Sequence, residues 1–252
     1  MTLTLAALCG FAFLAGFLDA MVGGGGLVQV PALFILMPQT APAVLLGTNK
    51  FSSIWGTAAA AVQYARHVPM EWRSVLPACA TALAFAFLGA RTVSHLHADL
   101  LRPLILLMLI AVLVYTLWKK DLGSLHAPRA GRTRQSMIGL ALGALLGFYD
   151  GFFGPGTGSF LIFAFAGLCG FSFLSASAAA KMVNVTTNFA ALTYFAASGS
   201  ILYGTALPMA ACNVAGSVLG SRLAIRKGSG FVRVLFIVIV AALIARLAWD
   251  AL

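Results

Sequence analysis

Residues 16–26 read GFLDAMVGGGG, and residues 147–157 read GFYDGFFGPGT. The second stretch repeats the pattern of the first 131 positions later in the chain. The same offset, without insertion or deletion, also pairs Asp19 with Asp150, Lys50 with Lys181, Pro77 with Pro208 and Gly89 with Gly220. Because the identities keep one offset across most of both halves, the chain is an internal duplication.

The composition is that of a membrane protein. Hydrophobic residues make up 61% of the chain and charged residues 9%, and the mean hydropathy is +0.99. Soluble domains carry about 25% charged residues. Several apolar runs approach or exceed the roughly 20 residues that cross a bilayer as a helix, and the short alternating segments of a spanning β-barrel are missing. The fold class we predict is an all-α polytopic membrane protein.

The net charge of +10 does not indicate a nucleic-acid partner. The basic residues stand singly or in short loops, whereas nucleic-acid-binding domains cluster them on one face with aromatic residues between. The partners we expect are the lipid bilayer and a small substrate. A homo-oligomer is compatible with this prediction.

Each half contains five apolar segments. In the first half they cover 3–22, 27–37, 43–65, 74–94 and 101–118, and in the second half 136–153, 158–170, 174–197, 205–225 and 232–249. This gives repeat 1 over 1–118, a linker over 119–135 and repeat 2 over 136–252, within one membrane domain. Eight to ten helices result, because the short second segment of each repeat either crosses the membrane or re-enters it.

Positive charge predicts the orientation of the two repeats. Lysine and arginine are concentrated in the 66–73 loop, in the linker and in the 222–233 loop, which should therefore be cytoplasmic. The loop after the third segment then lies inside in the first half and outside in the second. The repeats are thus predicted to be inverted, with a cytoplasmic linker and both termini periplasmic or extracytoplasmic.

The two glycine clusters are predicted to form turns that face a substrate cavity. Non-helical backbone within a membrane is tolerated where protein or water satisfies it, and helix starts attract anions. We therefore expect the turns to bind an anion through their backbone N–H groups. The predicted residues are Gly23, Gly24, Gly25, Gly26, Gly154, Gly156, Thr157 and Gly158. The alternative is that the glycines only allow close helix packing.

Two acids and two bases lie within apolar segments, where an unpaired charge is costly. We expect an Asp–Lys pair in each repeat, Asp19 with Lys50 and Asp150 with Lys181. Such pairs would neutralise the charges yet let the ions exchange partners with a substrate or a proton. The alternative is that the pairs only fix helices, or that Asp19 caps a turn at the surface.

Amide side chains accompany both lysines. Lys181, Asn184 and Asn188 follow an i, i+3, i+7 spacing and share a helix face. In the first repeat Asn49 precedes Lys50, and Ser53 repeats the i+3 step. We expect Asn49, Asn184 and Asn188 to line the anion path, with helix bracing as the alternative; isolated Gln29 and Asn213 are interpreted as braces.

The function that these features favour is secondary transport of a small anion, with Asp19 or Asp150 carrying a coupling proton. Two other functions stay open. One is an anion channel, and the other is a membrane-embedded enzyme that uses Lys50 or Lys181 with a hydroxyl such as Ser52 or Ser53. We predict no metal, no cofactor and no catalytic residues.

These motifs resemble the TauE/SafE family of membrane transporters, the sulfite-exporter-like permeases. The resemblance covers the whole chain through the 16–31 stretch, the GTNK sequence at 47–50 and their repeats. It is strongest for the subgroup with Gly-x-x-Asp before the glycines, of which GFYDGFFGPGTGSF at 147–160 is a specific signature. Membership implies a bacterial inner-membrane permease for sulfite, sulfonates or other organosulfur anions.

Overall fold

The computed structural model describes residues 2–96 and 131–250, with side chains over 3–96 and 133–228. The described residues form eight α-helices. These are α1 (Thr2–Val22), α2 (Gly26–Leu36), α3 (Pro42–His67), α4 (Trp72–Ser94), α5 (Arg132–Phe152), α6 (Thr157–Ala164), α7 (Phe173–Ala197) and α8 (Tyr203–Asp250). A π-helical turn, Phe165–Cys169, extends α6. The chain is an all-α membrane protein, as predicted.

Most segment boundaries match the prediction, with one correction. Helix α5 begins at Arg132, so the last four residues of the predicted linker form its first turn. The two segments predicted over 205–225 and 232–249 lie on either side of a kink at Gly228, where φ is 75° and ψ is −174°, and the label α8 covers both. The fifth segment, 101–118, and most of the linker lie outside the described residues.

Helices α1 and α2 form a hairpin. Gly25, before the start of α2, lies so close to α1 that an added Cβ would be 2.5 Å from the Ala15 carbonyl oxygen. Leu33 of α2 shares a buried cluster with Leu8 and Ala12 of α1. At 11 residues α2 is about 16 Å long, well short of the roughly 30 Å hydrocarbon core. It therefore turns back along α1.

The second repeat forms the equivalent hairpin from α5 and α6. The ring of Phe160 in α6 packs edge-on against Tyr149 of α5, with centroids 5.6 Å apart. The Tyr149 hydroxyl donates a hydrogen bond of 2.7 Å to the Pro155 carbonyl in the connecting turn. Both halves thus bring a short helix back beside a long one.

Glycines hold the two repeats together by letting helix backbones touch. On α5 they recur every four residues, and each lies against the α4 backbone: Gly139 at Ser74, Gly143 at Ala78, Gly147 at Ala82 and Gly151 at Ala86. Because both residue series rise together, α4 and α5 run parallel. Helices α1 and α8 do the same, since Gly216 and Gly220 lie against Phe13 and Phe17. Small residues are the usual means of close helix approach in membranes.

Helices α3 and α7, which carry the lysines, lie between these parallel pairs. Gly47, near the start of α3, contacts Phe195, near the end of α7. Tyr64, near the end of α3, shares a buried cluster with Ala176, near the start of α7. These two helices occupy equivalent places in the duplication, and they run in opposite directions.

The outward surface is apolar. Large exposed side chains include Leu14 on α1, Leu76 on α4 and Leu145 on α5, whereas much of the interior is alanine and glycine. Within the part of the chain that the structure describes, Leu3–Val22 and Trp72–Ser94 are long and apolar enough to cross a membrane. This distribution suits a protein whose surroundings are lipid.

Candidate functional site

The two glycine turns meet backbone to backbone. A Cβ built on Gly158 would be 2.6 Å from the Gly23 Cα atom. The Ser159 N–H donates to the Gly23 carbonyl at 3.2 Å, and the Ser159 hydroxyl donates to the Val22 carbonyl at 2.9 Å. The turns lie 135 residues apart in sequence, measured from Gly23 to Gly158. The two turns are therefore in direct contact across the two repeats.

These contacts satisfy backbone groups that would otherwise be exposed within the membrane. The last carbonyls of a helix have no partner inside it. At the end of α1, Ala20 accepts a 2.8 Å hydrogen bond from the buried Tyr64 hydroxyl, and Val22 accepts the one from Ser159. The irregular backbone is therefore supported by side chains of other helices, as a membrane interior requires.

The two turns differ in conformation at one equivalent position. Gly23 and Gly154 both have positive φ, 76° and 97°. Gly25 is right-handed, with φ −57°, whereas its counterpart Gly156 is left-handed, with φ 83°. Glycine adopts both conformations at little cost. The duplicated turns thus share a sequence pattern but not a single backbone shape.

The expectation that the turns present unpaired N–H groups to an anion is wrong for most of the donors in the first turn of each short helix. Leu27 and Val28 donate to the carbonyls of Gly24 and Gly25, at 3.0 Å each. In the second repeat Thr157 donates to Gly154, and Ser159 donates across to the first turn. Tight 3₁₀-type hydrogen bonds within the turns thus use the N–H groups of Leu27, Val28 and Thr157. Positive charge in the site must therefore come mainly from side chains.

Two buried ion pairs supply that charge, and they connect the repeats. The Lys50 Nζ lies 2.8 Å from Oδ2 of Asp150, and the Lys181 Nζ lies 2.8 Å from Oδ2 of Asp19. The predicted pairing within each repeat is wrong, because each lysine binds the aspartate of the other repeat.

The crossed pairing arises because Asp19, on α1, lies beside the part of α3 that contains Thr57 and not beside Lys50. Thr57, in the same repeat, donates a 3.3 Å hydrogen bond to the Asp19 carboxylate. Lys50 lies seven residues before Thr57, about 10 Å away along the helix. Since α7 runs opposite to α3, it brings Lys181 to the level of Asp19 instead.

The pairs are deeply buried but not equally so. The side chain of Lys181 is fully buried, and those of Lys50 and Asp150 are 4% and 7% exposed. The Asp19 side chain is 19% exposed. An unpaired charge at this depth is costly, so the crossed pairs also tie the repeats together.

A cavity of about 40 Å³ lies between the turns and the lysine helices. Since one water needs roughly 10–15 Å³, a few waters or a small ion fit. Its lining is almost wholly polar side chains and glycine. The lining residues are Ala15, Asp19, Gly23, Gly25, Gly26, Gln29, Asn49, Lys50, Ser53, Thr57, Gly154, Gly158, Asn184, Asn188 and Asn213.

Most of the predicted site residues belong to this lining, and the structure brings them together from both halves. Those that do not line it are Gly24, Asp150, Gly156, Thr157 and Lys181. Asp150 and Lys181 reach the cavity through their partners, Lys50 and Asp19. Thr157 instead donates its hydroxyl to the Gly154 carbonyl at 2.7 Å, which stabilises the second turn.

Two groups of lining residues were not among the predicted site residues. Thr57 repeats from Lys50 the i+7 step of Asn188 from Lys181, so the duplication carried a signal for it. Gln29 and Asn213 were interpreted as braces. They do brace, because Asn213 donates to Gln29 and to the Ala12 carbonyl at 3.0 and 3.1 Å, but they also line the cavity.

Two cavity amides have an oxygen without a protein partner. Asn49 and Asn184 are each 6% exposed, and the Oδ1 atom of each is buried without a hydrogen bond. Buried polar atoms are nearly always paired. These oxygens therefore mark places where a bound molecule would complete the hydrogen bonding.

Comparison with known proteins agrees with this architecture. The family model described as sulfite exporter TauE/SafE matches residues 8–247. This chain belongs to the TauE/SafE family. No solved structure matches it significantly.

Curated relatives match this chain over nearly its full length. The chain is 36% identical to "Probable membrane transporter protein ORF9" of Sinorhizobium sp over 239 residues, covering 95% of this chain and 90% of the relative. It is 34% identical to "Probable membrane transporter protein YfcA" of Escherichia coli K12 over 240 residues, covering 95% and 88%. A Haemophilus influenzae "Probable membrane transporter protein" is 32% identical over 238 residues, covering 94% and 92%. The chain is a membrane transporter of the TauE/SafE type.

Proposed function

We propose that the protein is a secondary transporter that moves a small anion through the cavity between the two glycine turns. The observation that carries the proposal is the pair of crossed buried ion pairs beside a polar cavity. A lysine that is neutralised by aspartate can bind a substrate anion without a change in local charge when an aspartate of the site takes up a proton. Intramembrane charges of this kind usually mark a transport path.

The lining favours a compact oxyanion. Lys50 and several amides face the cavity, and Ala15 is its one purely apolar side chain among the described residues. The available space admits an anion of few atoms. Sulfite, a small sulfonate or another organosulfur anion fits both this chemistry and the family to which the chain belongs.

The mechanism that we propose is alternating access by two inverted repeats. The opposite directions of α3 and α7 support inversion, because these helices are equivalent in the duplication. The different conformations of Gly25 and Gly156 support two interconverting states of the turns. In the opposite state the two turns would exchange conformations.

Asp19 is our candidate for a coupling-proton carrier. Its carboxylate lines the cavity and is more exposed than that of Asp150. Protonation of Asp19 would release Lys181, and the charge change would link proton movement to anion movement. Asp150 holds the equivalent place beside Lys50 and would act in the opposite state.

We further propose the bacterial inner membrane as the location, with a cytoplasmic linker and periplasmic termini. The support is the distribution of lysine and arginine between the connecting loops. Cysteine labelling of the 66–73 loop and the 198–203 turn from the two sides of right-side-out vesicles tests this orientation.

The enzyme alternative has weaker support. The Ser52 and Ser53 hydroxyls donate to the Asn49 carbonyl at 3.0 and 2.8 Å, so both are engaged in their own helix. The Lys50 ammonium donates to Asp150 rather than to either serine. Neither hydroxyl is therefore arranged as a nucleophile with Lys50 as its base.

Solid-supported-membrane currents on proteoliposomes test the function. We expect a saturable transient current with at least one of sulfite, thiosulfate and methanesulfonate, and a pH dependence that weakens in Asp19→Asn. Gly10→Ala, which alters an open surface position, serves as the matched control. Non-saturating flux would indicate a channel instead, and turnover of substrate in detergent would indicate an enzyme.

A further inference from the structure

The cavity is symmetric in its charges but not in its amides. Asp19, Lys50, Gly23 and Gly25 all recur at the 131-residue offset. Four polar residues in or beside the cavity have apolar counterparts at that offset. These pairs are Gln29 with Phe160, Asn49 with Ala180, Ser52 with Val183 and Asn213 with Ala82.

Those four polar residues form one connected group, which we call the amide wall (Gln29, Asn49, Ser52, Asn213). Asn213 donates to the Gln29 side-chain oxygen at 3.0 Å, and the Gln29 amide donates to the Ser52 hydroxyl. Ser52 donates in turn to the Asn49 carbonyl at 3.0 Å. The wall is contributed by α2, α3 and α8, and each of these residues is at least nine-tenths buried.

Asn49 joins the amide wall through its backbone carbonyl, and its side chain lines the cavity. The Oδ1 atom of Asn49 has no hydrogen bond, and the same is true of Asn184 on α7. Because an amide oxygen only accepts hydrogen bonds, an anion within reach of Lys50 would bind Asn49 through its –NH2 group, which donates.

The counterpart positions form no such wall. Ala82, Ala180 and Val183 are fully buried, and Phe160 packs against Tyr149. Lys181 is fully buried and does not line the cavity, whereas Lys50 does. The two lysines, equivalent in sequence, thus have different surroundings.

We propose that the cavity binds one anion at a time on the amide-wall side, with Lys50 as its cation and Asn49 as an amide contact. Lys181 has a separate role, which is to hold Asp19. The inference rests on the transport function proposed above and specifies which side of the site selects the substrate. Specificity is then set by residues that the duplication does not share, while the Lys181–Asp19 pair serves the conformational cycle.

Binding to the purified full chain in detergent tests this arrangement. The measurement is the dissociation constant of sulfite, thiosulfate and methanesulfonate from ligand-induced thermal stabilisation. Asn49→Ala, which installs the residue of the other repeat, should weaken binding about tenfold, because a hydrogen bond to a charged ligand is lost. Thr187→Val is the matched control: Thr187 is buried on α7, bonds to its own helix and lies outside the cavity lining.

Two charge-neutral double variants distinguish the roles of the two lysines without leaving an unpaired charge. Lys50→Met with Asp150→Asn removes one pair, and Lys181→Met with Asp19→Asn removes the other. We expect the first to abolish anion binding and the second to keep or strengthen it, because a carboxylate is removed from the cavity, although transport is lost. Melting temperatures without ligand show whether each variant is folded.

The outcomes distinguish this inference from the proposed function. If the unmodified protein transports an anion but both double variants lose binding equally, or Asn49→Ala binds normally, the asymmetric site is wrong and transport stands. If the unmodified protein binds none of the three anions and gives no current, the proposed function fails and the inference with it.

Discussion

Lys181 donates a 2.8 Å hydrogen bond to Asp19 across 162 residues of sequence, and Lys50 makes the same bond to Asp150 in the reciprocal direction. The aspartate of each repeat is therefore neutralised by the lysine of the other repeat. This relationship makes the duplicated halves mutually dependent: neither repeat can fold alone without leaving a buried acid and a buried base unpaired.

Charge exchange tests the crossed pairing directly. Reversing Lys50 to aspartate alone should lower stability by about 3–5 kcal/mol, since it places two carboxylates together in a buried site. Combining Lys50→Asp with Asp150→Lys restores opposite charges and should recover most of the yield and melting temperature. The measurement is thermal unfolding of the detergent-purified protein.

The matched control for that experiment uses the same kinds of substitution within one repeat. Lys50→Asp combined with Asp19→Lys would place a second carboxylate against Asp150 and a second ammonium group against Lys181, so this variant should remain unstable. Recovery in this variant, rather than in the cross-repeat exchange, would show that the pairs form within each repeat.

Sequence reasoning located the charges but could not pair them. The 131-residue offset identified Asp19, Lys50 and their counterparts, and segment lengths identified the hairpins. Pairing depended on the relative direction of α3 and α7, which is a tertiary property. The sequence pattern shows which residues share a helix face. It does not show which residues of two antiparallel helices lie side by side.

Gly23 and Gly24 should respond differently to alanine, although they are neighbours. Gly23 has φ 76°, and an added Cβ would overlap the Gly158 backbone, so Gly23→Ala should cost several kcal/mol from strain and separation of the turns. At Gly24 the nearest atom to such a Cβ is 3.8 Å away. Gly24→Ala should keep the melting temperature within a few degrees; equal losses in both would contradict contact between the turns.

Close packing of α4 on α5 gives a further test. A Cβ at Gly143 would overlap the Ala78 carbonyl, so Gly143→Ala should destabilise the protein by about 1–3 kcal/mol through forced separation of the helices. Gly10, also in a helix, has open space around it, and Gly10→Ala should be neutral or slightly stabilising. Unfolding followed by tryptophan fluorescence measures both, and an unchanged Gly143→Ala would rule out the parallel contact.

The asymmetry of the site was the part least accessible from sequence. Gln29 and Asn213 stand alone in apolar helices, a pattern more typical of bracing than of binding. Their approach to each other joins α2 with α8, at a separation of 184 residues. Gln29 and Asn213 have no polar counterpart in the other repeat, so the duplication drew attention to the shared charges and not to them.

Ser159 gives the most specific test of how the two turns are joined. Its hydroxyl donates to the Val22 carbonyl of the other repeat, at the end of α1 where no helical donor is available. Ser159→Ala should lower the stability by about 1–3 kcal/mol, because the carbonyl is left unsatisfied in an apolar interior. Ser94→Ala is the matched control, since Ser94 bonds to the Ala90 carbonyl four residues earlier in α4. If melting of detergent-purified protein showed equal, small effects for both, the link between turns would contribute nothing, and the glycine contact alone would hold the repeats at this point.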